Sequence, residues 1–391
     1  MKIAFLCNNV KSLNGVERVL SQRLSLLAES GQYDVYLITY NQYGAPFSFP
    51  ISDKVHCIDL ATRYISRCSY HGLYQYWDRY ISKKVYKRAI HQCLESLDPD
   101  IVTCMDMHIA DLEAVLSLKT KAKKVVECHS GLSAYYINME DNLPFKRMLG
   151  RLLRQHLIRT IKRFDKVIVM TTSEQNDWNL EEKVRCIPNI LVDYPSVISD
   201  KSLVRKRVIS VGRYAYQKGY DMLVESWKIV QEKHPDWSLH IYGSHDGDNG
   251  EYRILQNKIE NSKINNVFLH PSTTDIYTCY CDSDIYVMSS RYESFGLVLI
   301  EAMSCGLPVI SFDCKYGPGA IVKDGVTGLL VPANDIVRMA EAICTLIENK
   351  DERQRMAQNA RVESAKYLSD HIMPLWYDFY ESLGTVHPTA S

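Results

Sequence analysis

Residues 284–312 constrain the fold more than any other stretch. They read DIYVMSS, RYESF, GLVLIEAMSCG and LPVISF in succession. The first piece is a short apolar run ending in small polar residues, which suits a buried strand. The second is a loop. The third has helical spacing, with Leu297, Ile300 and Ala302/Met303 on one apolar side and Gly306 just past its end. Pro308 follows, then a second apolar run rich in β-branched residues. Strand, loop, helix, Gly stop and strand make one βαβ unit of a parallel sheet. The loop and helix carry two carboxylates, Glu293 and Glu301. Glu293 sits at the carboxyl end of the strand, where open α/β sheets bind ligands. Between the two, the backbone N–H groups of Phe295, Gly296 and Leu297 lie at a helix N-terminus, which favours an anion. Two glutamates at this spacing mean little alone, because many helices carry such a pair. The strand-loop-helix-strand context is what gives them weight.

The same alternation runs along the chain. KIAFLC, DVYLITY, KVHCIDL, DIVTCMD, KKVVECHS, KVIVMTT and VRCIPN read as strands of a first half. RVISVGR, SLHIYGS, NVFLHPS, DIYVMSS, LPVISF and GLLVP read as strands of a second. Helices separate most of them, including one over 77–97, and residues 189–206 read as an interdomain linker. A chain of 391 residues suits two domains. Two β/α alternations predict an α/β protein of two doubly wound, Rossmann-like domains facing a cleft. The turn after the first strand holds Gly15, but a full G-x-G-x-x-G is missing.

Charge and cysteine usage exclude several classes. Net charge is zero, so nothing global points to nucleic acid. Residues 1–200 hold 26 Lys+Arg against 22 Asp+Glu, and the rest 20 against 24, so the first half is mildly positive. The twelve cysteines are scattered without C-x-x-C or matching His spacing, as expected of small buried hydrophobes in a reducing compartment. No apolar run reaches the roughly 18 residues a membrane span needs. The expected location is therefore cytoplasmic, with peripheral attachment to the inner face of a membrane as an option. Residues 145–164 carry seven Lys/Arg and no acid. Leu149, Leu152, Leu153, Leu157, Ile158 and Ile161 lie on one broad helical side. This is either a basic amphipathic helix for an anionic membrane surface or a core-facing helix with a solvated basic face. Arg79, Lys83, Lys84, Lys87 and Arg88 add charge to the same domain.

ESFGLVLIEAMSCGLPVI resembles, nearly residue for residue, the E-x7-E region of the retaining, nucleotide-sugar-dependent glycosyltransferases of family four. GRYAYQKG is similar to that family's G-R-x(4)-K-G segment, and NGVERVL to its GGAERVL-type segment. FDCKYGPGAIVKDGVTGLLV resembles members that build surface polysaccharides. The resemblance covers nearly the whole chain and is strongest over 208–335. It implies the GT-B architecture. Residues 1–188 would be an acceptor-binding domain, joined by a crossing helix over 371–391, and 189–370 a nucleotide-sugar-binding domain.

The resemblance also implies roles. Arg213 and Lys218 would clamp the donor diphosphate, fixed cations stabilising the leaving group without reorganising. The bland alternative is two solvated cations at a strand end. Glu301 would accept from both ribose hydroxyls, and Glu293 would hold a sugar hydroxyl near the anomeric carbon. Ser294, Phe295, Gly296 and Leu297 would face the phosphates, Gly243, Ser272 and Ile276 would frame the base, and Gly15 would let the backbone approach the donor. His129, at the end of KKVVECHS, would contact the donor sugar's 6-hydroxyl or lie beside the reacting centre, unless it is only a partly exposed turn residue. Asp282-Ser283-Asp284 spells D-x-D, but at a strand's entry edge, and reads as punctuation rather than a metal site. No metal and no cofactor is expected. The implied activity is retaining, metal-independent transfer of a hexose or N-acetylhexosamine from a UDP-sugar or similar donor to a saccharide or lipid-linked acceptor. The rivals are a nucleotide-sugar epimerase of the same fold, a phosphorylase and a non-catalytic sugar-nucleotide-binding protein.

Overall fold

A computed structural model describes residues 1–12, 14–62, 73–105, 109–129, 144–180, 182–196, 203–245, 250–262 and 264–384. The chain divides into two compact units. The first comprises Met1–Val192 and Asp370–Ser391, the second Asp193–Ser369.

Among the described residues, the first unit has seven strands: β1 (Lys2–Cys7), β2 (Asp34–Thr39), β3 (His56–Asp59), β4 (Ile101–Met105), β5 (Lys123–Glu127), β6 (Lys166–Val169) and β7 (Val184–Cys186). They form one parallel sheet in the order β3-β2-β1-β4-β5-β6-β7. The order reverses between β1 and β4, so loops leave the carboxyl ends of these neighbours in opposite directions. Asn14 caps the helix Gly15–Glu29, its side chain accepting from the N–H groups of Val16 and Glu17. The last helix, Ser369–Gly384, belongs to this unit. Tyr377 stacks on Tyr33 with centroids 6.0 Å apart, and Tyr380 meets Phe5 edge-on at 6.5 Å.

In the second unit β8 (Arg207–Val211), β9 (Ser238–Gly243), β10 (Val267–Pro271), β11 (Ile285–Met288), β12 (Val309–Asp313) and β13 (Gly328–Pro332) form a parallel sheet. Its order is β10-β9-β8-β11-β12-β13, with the reversal between β8 and β11. The central runs IYVM and VISF are buried throughout, as expected where helices cover both faces. Leu223, Val224, Trp227 and Val230 of helix Tyr220–Lys233 pack with Met339, Ala340 and Ile343 of helix Ile336–Glu348 in one core. Asp335 caps the latter by accepting from Arg338 N–H.

Three features differ from the sequence expectation. The linker is shorter than 189–206. Ile187, Asn189, Ile190 and Leu191 are buried, which holds the chain in the first unit through Val192. From Tyr194 it is tied to the second, where the Tyr194 hydroxyl donates to Arg361 O and the Arg361 guanidinium stacks on the Tyr194 ring at 4.3 Å. Helices Thr172–Trp178, Glu251–Asn261 and Gly317–Ile321 were not legible. In Glu251–Asn261 Leu255 is the one fully buried residue, with Tyr252 and Ile259 partly buried beside it, so the apolar side is narrow and easily overlooked among the polar residues. Finally, the apolar side of helix Pro144–Ile161 is split. Leu157 and Ile161 are buried, whereas Met148, Leu152 and Leu153 are 54%, 55% and 51% exposed.

Candidate active site

The second unit gathers its candidate residues at the reversal of strand order. β8 and β11 pair in parallel, with Val208 opposite Ile285 and Ile209 opposite Tyr286, so their loops emerge side by side. The β8 loop carries exposed Arg213 and then a 3₁₀ turn, Tyr216–Lys218. The β11 loop carries Ser290, Arg291 and Glu293. Lys218 Nζ donates to Glu293 Oε1 at 2.7 Å, and Ser290 Oγ donates to the same oxygen at 2.8 Å. Glu293 is only 6% exposed, so this charge pair is strengthened by its low-dielectric surroundings. Immediately beyond, Gly296 caps helix Leu297–Ser304 with φ +97°, a conformation that favours glycine. Leu299 N–H already bonds back to Gly296 O at 2.9 Å, and the Leu297 and Val298 N–H groups lie ahead of that first bond at the helix end. Lys218, Arg213 and a helix N-terminus around a buried carboxylate form a site able to take a diphosphate and a sugar hydroxyl.

Glu301 lies on the second turn of the same helix and is buried. The Tyr280 hydroxyl donates to its Oε2 at 3.3 Å. Tyr280 belongs to helix Ile276–Cys281, so Ile276 and Glu301 stand on helices joined by that bond. Gly243 ends β9, and a Cβ there would lie 2.2 Å from Gly212 O; the exit of β8 leaves no room for a side chain. Pro271 pairs with Gly243 in register, which places exposed Ser272 just beyond Gly243 at the same sheet end. Phe295 is buried and edges against Tyr367 at 5.5 Å. Ser294 lies between Glu293 and Phe295 in the same loop.

Burial first, and the Glu293 charge second, push the Cys314 thiol well above its ordinary range. A protonated thiol is a poor nucleophile, so Cys314 is a filler beside the site. The D-x-D aspartates serve the backbone. Asp284 Oδ2 accepts from the N–H groups of Arg205 and Arg207 at 2.9 and 3.1 Å, and Asp282 lies 3.6 Å from Arg205 Nε. Both stand at the amino end of β11, opposite the end that carries Glu293.

A family profile described as Glycosyl transferases group 1 matches residues 198–363, and one described as Glycosyltransferase Family 4 matches residues 13–191. The chain carries both domains of a GT-B glycosyltransferase. It is 27% identical over 379 residues to an uncharacterized glycosyltransferase of Haemophilus influenzae, covering 96% of this chain and 98% of that protein. It is 27% identical over 394 residues to the amylovoran biosynthesis glycosyltransferase AmsD of Erwinia amylovora, covering 96% and 99%. The crystal structure of Anabaena HepE in complex with UDP and glucose superposes with a TM-score of 0.72 at 18% identity, covering 99% and 100%.

The first unit of this GT-B chain holds the other two candidates. Gly15 opens the helix after β1, and His129 follows β5. Both thus stand at carboxyl ends of the first sheet. His129 is buried rather than partly exposed, in the bend after β5, and its Nε2 lies 3.0 Å from Glu127 Oε2. Glu127 is fully buried and receives a bidentate pair from Arg23, at 2.9 and 2.8 Å. The Arg23 guanidinium in turn stacks on Trp376 at 4.0 Å. Burial opposes ionisation of Glu127, but Arg23 and His129 outweigh it and hold its carboxyl below the usual range.

Sequence reasoning missed this Arg23–Glu127 pair, and also Ser290, Arg291 and Asp221. Arg291 and Asp221 form a bidentate ion pair at 2.9 and 2.7 Å. The signal for Arg291 was its place two residues before Glu293. Arg23 left no signal, since one cation in an amphipathic helix reads as surface.

Proposed function

We propose that the protein is a retaining, metal-independent transferase that moves a hexose or N-acetylhexosamine from a UDP-sugar to a saccharide or lipid-linked acceptor in the synthesis of surface polysaccharide or glycolipid. The observation that carries this reading is the Lys218–Glu293 pair at the β8/β11 reversal, beside Arg213 and the N-terminus of the helix bearing Glu301. As the glycosidic bond breaks, charge grows on the leaving diphosphate. Lys218 and Arg213 neutralise it from fixed positions, which takes the place of a metal. Glu293 holds a sugar hydroxyl, Glu301 the ribose, and the second unit is the donor domain. The first unit takes the acceptor, and Glu127 holds His129 there. Retention fits front-face attack, the leaving diphosphate taking the acceptor's proton. The likeness to an amylovoran biosynthesis enzyme supports a polysaccharide product, and the HepE complex supports UDP. A panel of nucleotide sugars scored for nucleotide release in EDTA tests the reading. Release with at least one UDP-sugar, undiminished by EDTA, is expected. Loss in EDTA restored by Mg²⁺ or Mn²⁺ overturns metal independence, and an epimerised donor without release favours the epimerase.

The exposed apolar residues of helix Pro144–Ile161 favour the membrane option for the first unit. Met148, Leu152 and Leu153 stand among exposed Arg151, Arg159 and Lys162. Exposed Ile81 and Val85 stand beside Lys84, Lys87 and Arg88 on helix Leu73–Leu97. Glu113 joins the two helices, pairing with Lys83 at 3.3 Å and with His156 at 2.9 Å. Each cation near an anionic surface contributes about 1 kcal/mol. Among the described residues no helix is long and apolar enough to cross a membrane. Anionic liposomes should therefore sediment the protein at low salt and release it as salt rises. Changing Arg151, Arg159 and Lys162 to Ser should abolish sedimentation without altering nucleotide release. Wild-type protein that stays in the supernatant at low salt would leave a soluble acceptor as the better reading.

A further inference from the structure

Arg291 holds the outside of the donor site at both ends of the turn that presents Lys218. Its Nη1 donates to Tyr216 O at 2.7 Å, at the start of that turn, and to Asp221 Oδ1 at 2.9 Å, just past its end. Nη2 donates to Asp221 Oδ2 at 2.7 Å. The guanidinium also lies flat over the Tyr216 ring, 3.9 Å from its centroid. Lys218 is therefore bracketed, with contacts two residues before it and three residues after.

One backbone bond and two side-chain bonds add three ties between the same loops. Arg291 N–H donates to Gln217 O at 2.8 Å, Gln217 Nε2 to Tyr292 O at 3.1 Å, and Ser289 Oγ to Lys218 O at 2.8 Å. Arg291 stands two residues from Glu293 in its own loop. To these ties the Arg291 side chain adds three hydrogen bonds and a ring stack, and it alone braces the turn on both sides of Lys218. A lysine at 291 would keep the charge, but it cannot supply the fork that serves Tyr216 O and both Asp221 oxygens, nor the planar stack.

The geometry points to Arg291, with Asp221, as positioning residues of the donor site: from outside it, they set where the Lys218 ammonium meets the diphosphate. This rests on the reading of Lys218 as a diphosphate ligand. When a diphosphate enters, it competes with Glu293 for Lys218. The ammonium then turns from one oxygen to another while its backbone stays fixed. Without the Arg291 fork only the ties at Gln217 and Lys218 O remain, the turn is held less tightly, and part of the preorganisation that makes a fixed cation effective is lost. Burial works against the charges of Arg291 and Asp221, yet their mutual pairing raises the Arg291 pKa and lowers that of Asp221. The bracket therefore stays charged near neutral pH.

Calorimetric binding of UDP and of uridine tests this on wild type, Arg291→Lys, Asp221→Asn, Lys218→Ala and the double variant Arg291→Lys/Lys218→Ala. Arg291→Lys and Asp221→Asn should each weaken UDP roughly tenfold, as a misplaced group does. Uridine binding and the thermal midpoint should stay near wild type. The double variant should bind UDP no more weakly than Lys218→Ala, because Arg291 acts through Lys218. Additive losses in the double variant overturn the proposal, as does equal weakening of UDP and uridine, which marks a merely structural pair. Wild-type UDP affinity in Arg291→Lys, with a loss in Lys218→Ala, overturns positioning alone. Wild-type UDP affinity in Lys218→Ala instead sinks the donor-site reading on which the proposal rests.

Discussion

Replacing Lys218 with Ala lowers kcat/KM by about 10²–10³, the loss expected when one fixed donor to a developing charge is removed. The reason lies in what Lys218 faces. In the free protein its ammonium sits 2.7 Å from Glu293, a carboxylate that also accepts from Ser290. Removing the ammonium leaves Glu293 buried with one neutral donor, next to the place where a diphosphate must bind. The site then repels the charge it should stabilise. UDP affinity should fall with activity, while uridine affinity stays, because the base and ribose are assigned in the proposed function to β9, β10 and Glu301 rather than to Lys218. The Arg213→Ala variant should lose less affinity for UDP, since Arg213 is exposed and water screens it. Rate assays over donor concentrations from well below KM upward, beside calorimetry with both ligands, check this. Equal losses for UDP and uridine would reject the clamp.

Replacing Arg23 with Met unfolds the first unit more easily, by about 3–5 kcal/mol, because it strands a buried charge. Arg23 is 2% exposed and Glu127 fully buried, and Arg23 also fills the space under Trp376. Acid should reveal the cause. In wild type the Glu127 carboxyl is held below its unfolded value, so its stabilisation is present above the unfolded pKa and is lost as pH falls through the folded one. Without Arg23, burial is no longer outweighed, and protonation relieves the variant. The deficit should thus be large at about pH 7 and shrink toward about pH 4, as the stranded carboxyl of the variant is neutralised and the wild-type advantage begins to fade below the unfolded pKa. Urea melts at the two pH values measure it. A deficit that is the same at both would assign the loss to packing under Trp376 instead.

The strands were legible because parallel strands covered on both faces are continuous apolar runs, and KIAFLC, IYVM and VISF need no periodicity to be seen. The donor loops were legible for a different reason. Lys218 precedes Gly219 and Glu293 lies three residues before Gly296, both at strand ends, and the family resemblance of the surrounding segments singled them out together with Glu301 on the helix. Helix Glu251–Asn261 was hidden because it buries little beyond Leu255. The exposure of Leu152 and Leu153 was hidden too, since a helical wheel shows which residues share a side and not what that side faces. Least visible were partnerships across the sequence. Arg23 with Glu127 spans 104 residues and Arg291 with Asp221 spans 70, and each is set by which strands lie side by side rather than by any local pattern.

The anomeric configuration of the released sugar tests the central claim most directly. Incubating the protein with an α-linked UDP-sugar, with water standing in for the acceptor, and following the anomeric proton by NMR from the first minutes reports both cleavage and its stereochemistry. The account predicts UDP release in EDTA, with the α anomer appearing first and the β anomer growing in only by mutarotation. Initial β anomer would contradict retention, and no UDP from any donor of the panel would contradict the enzyme itself.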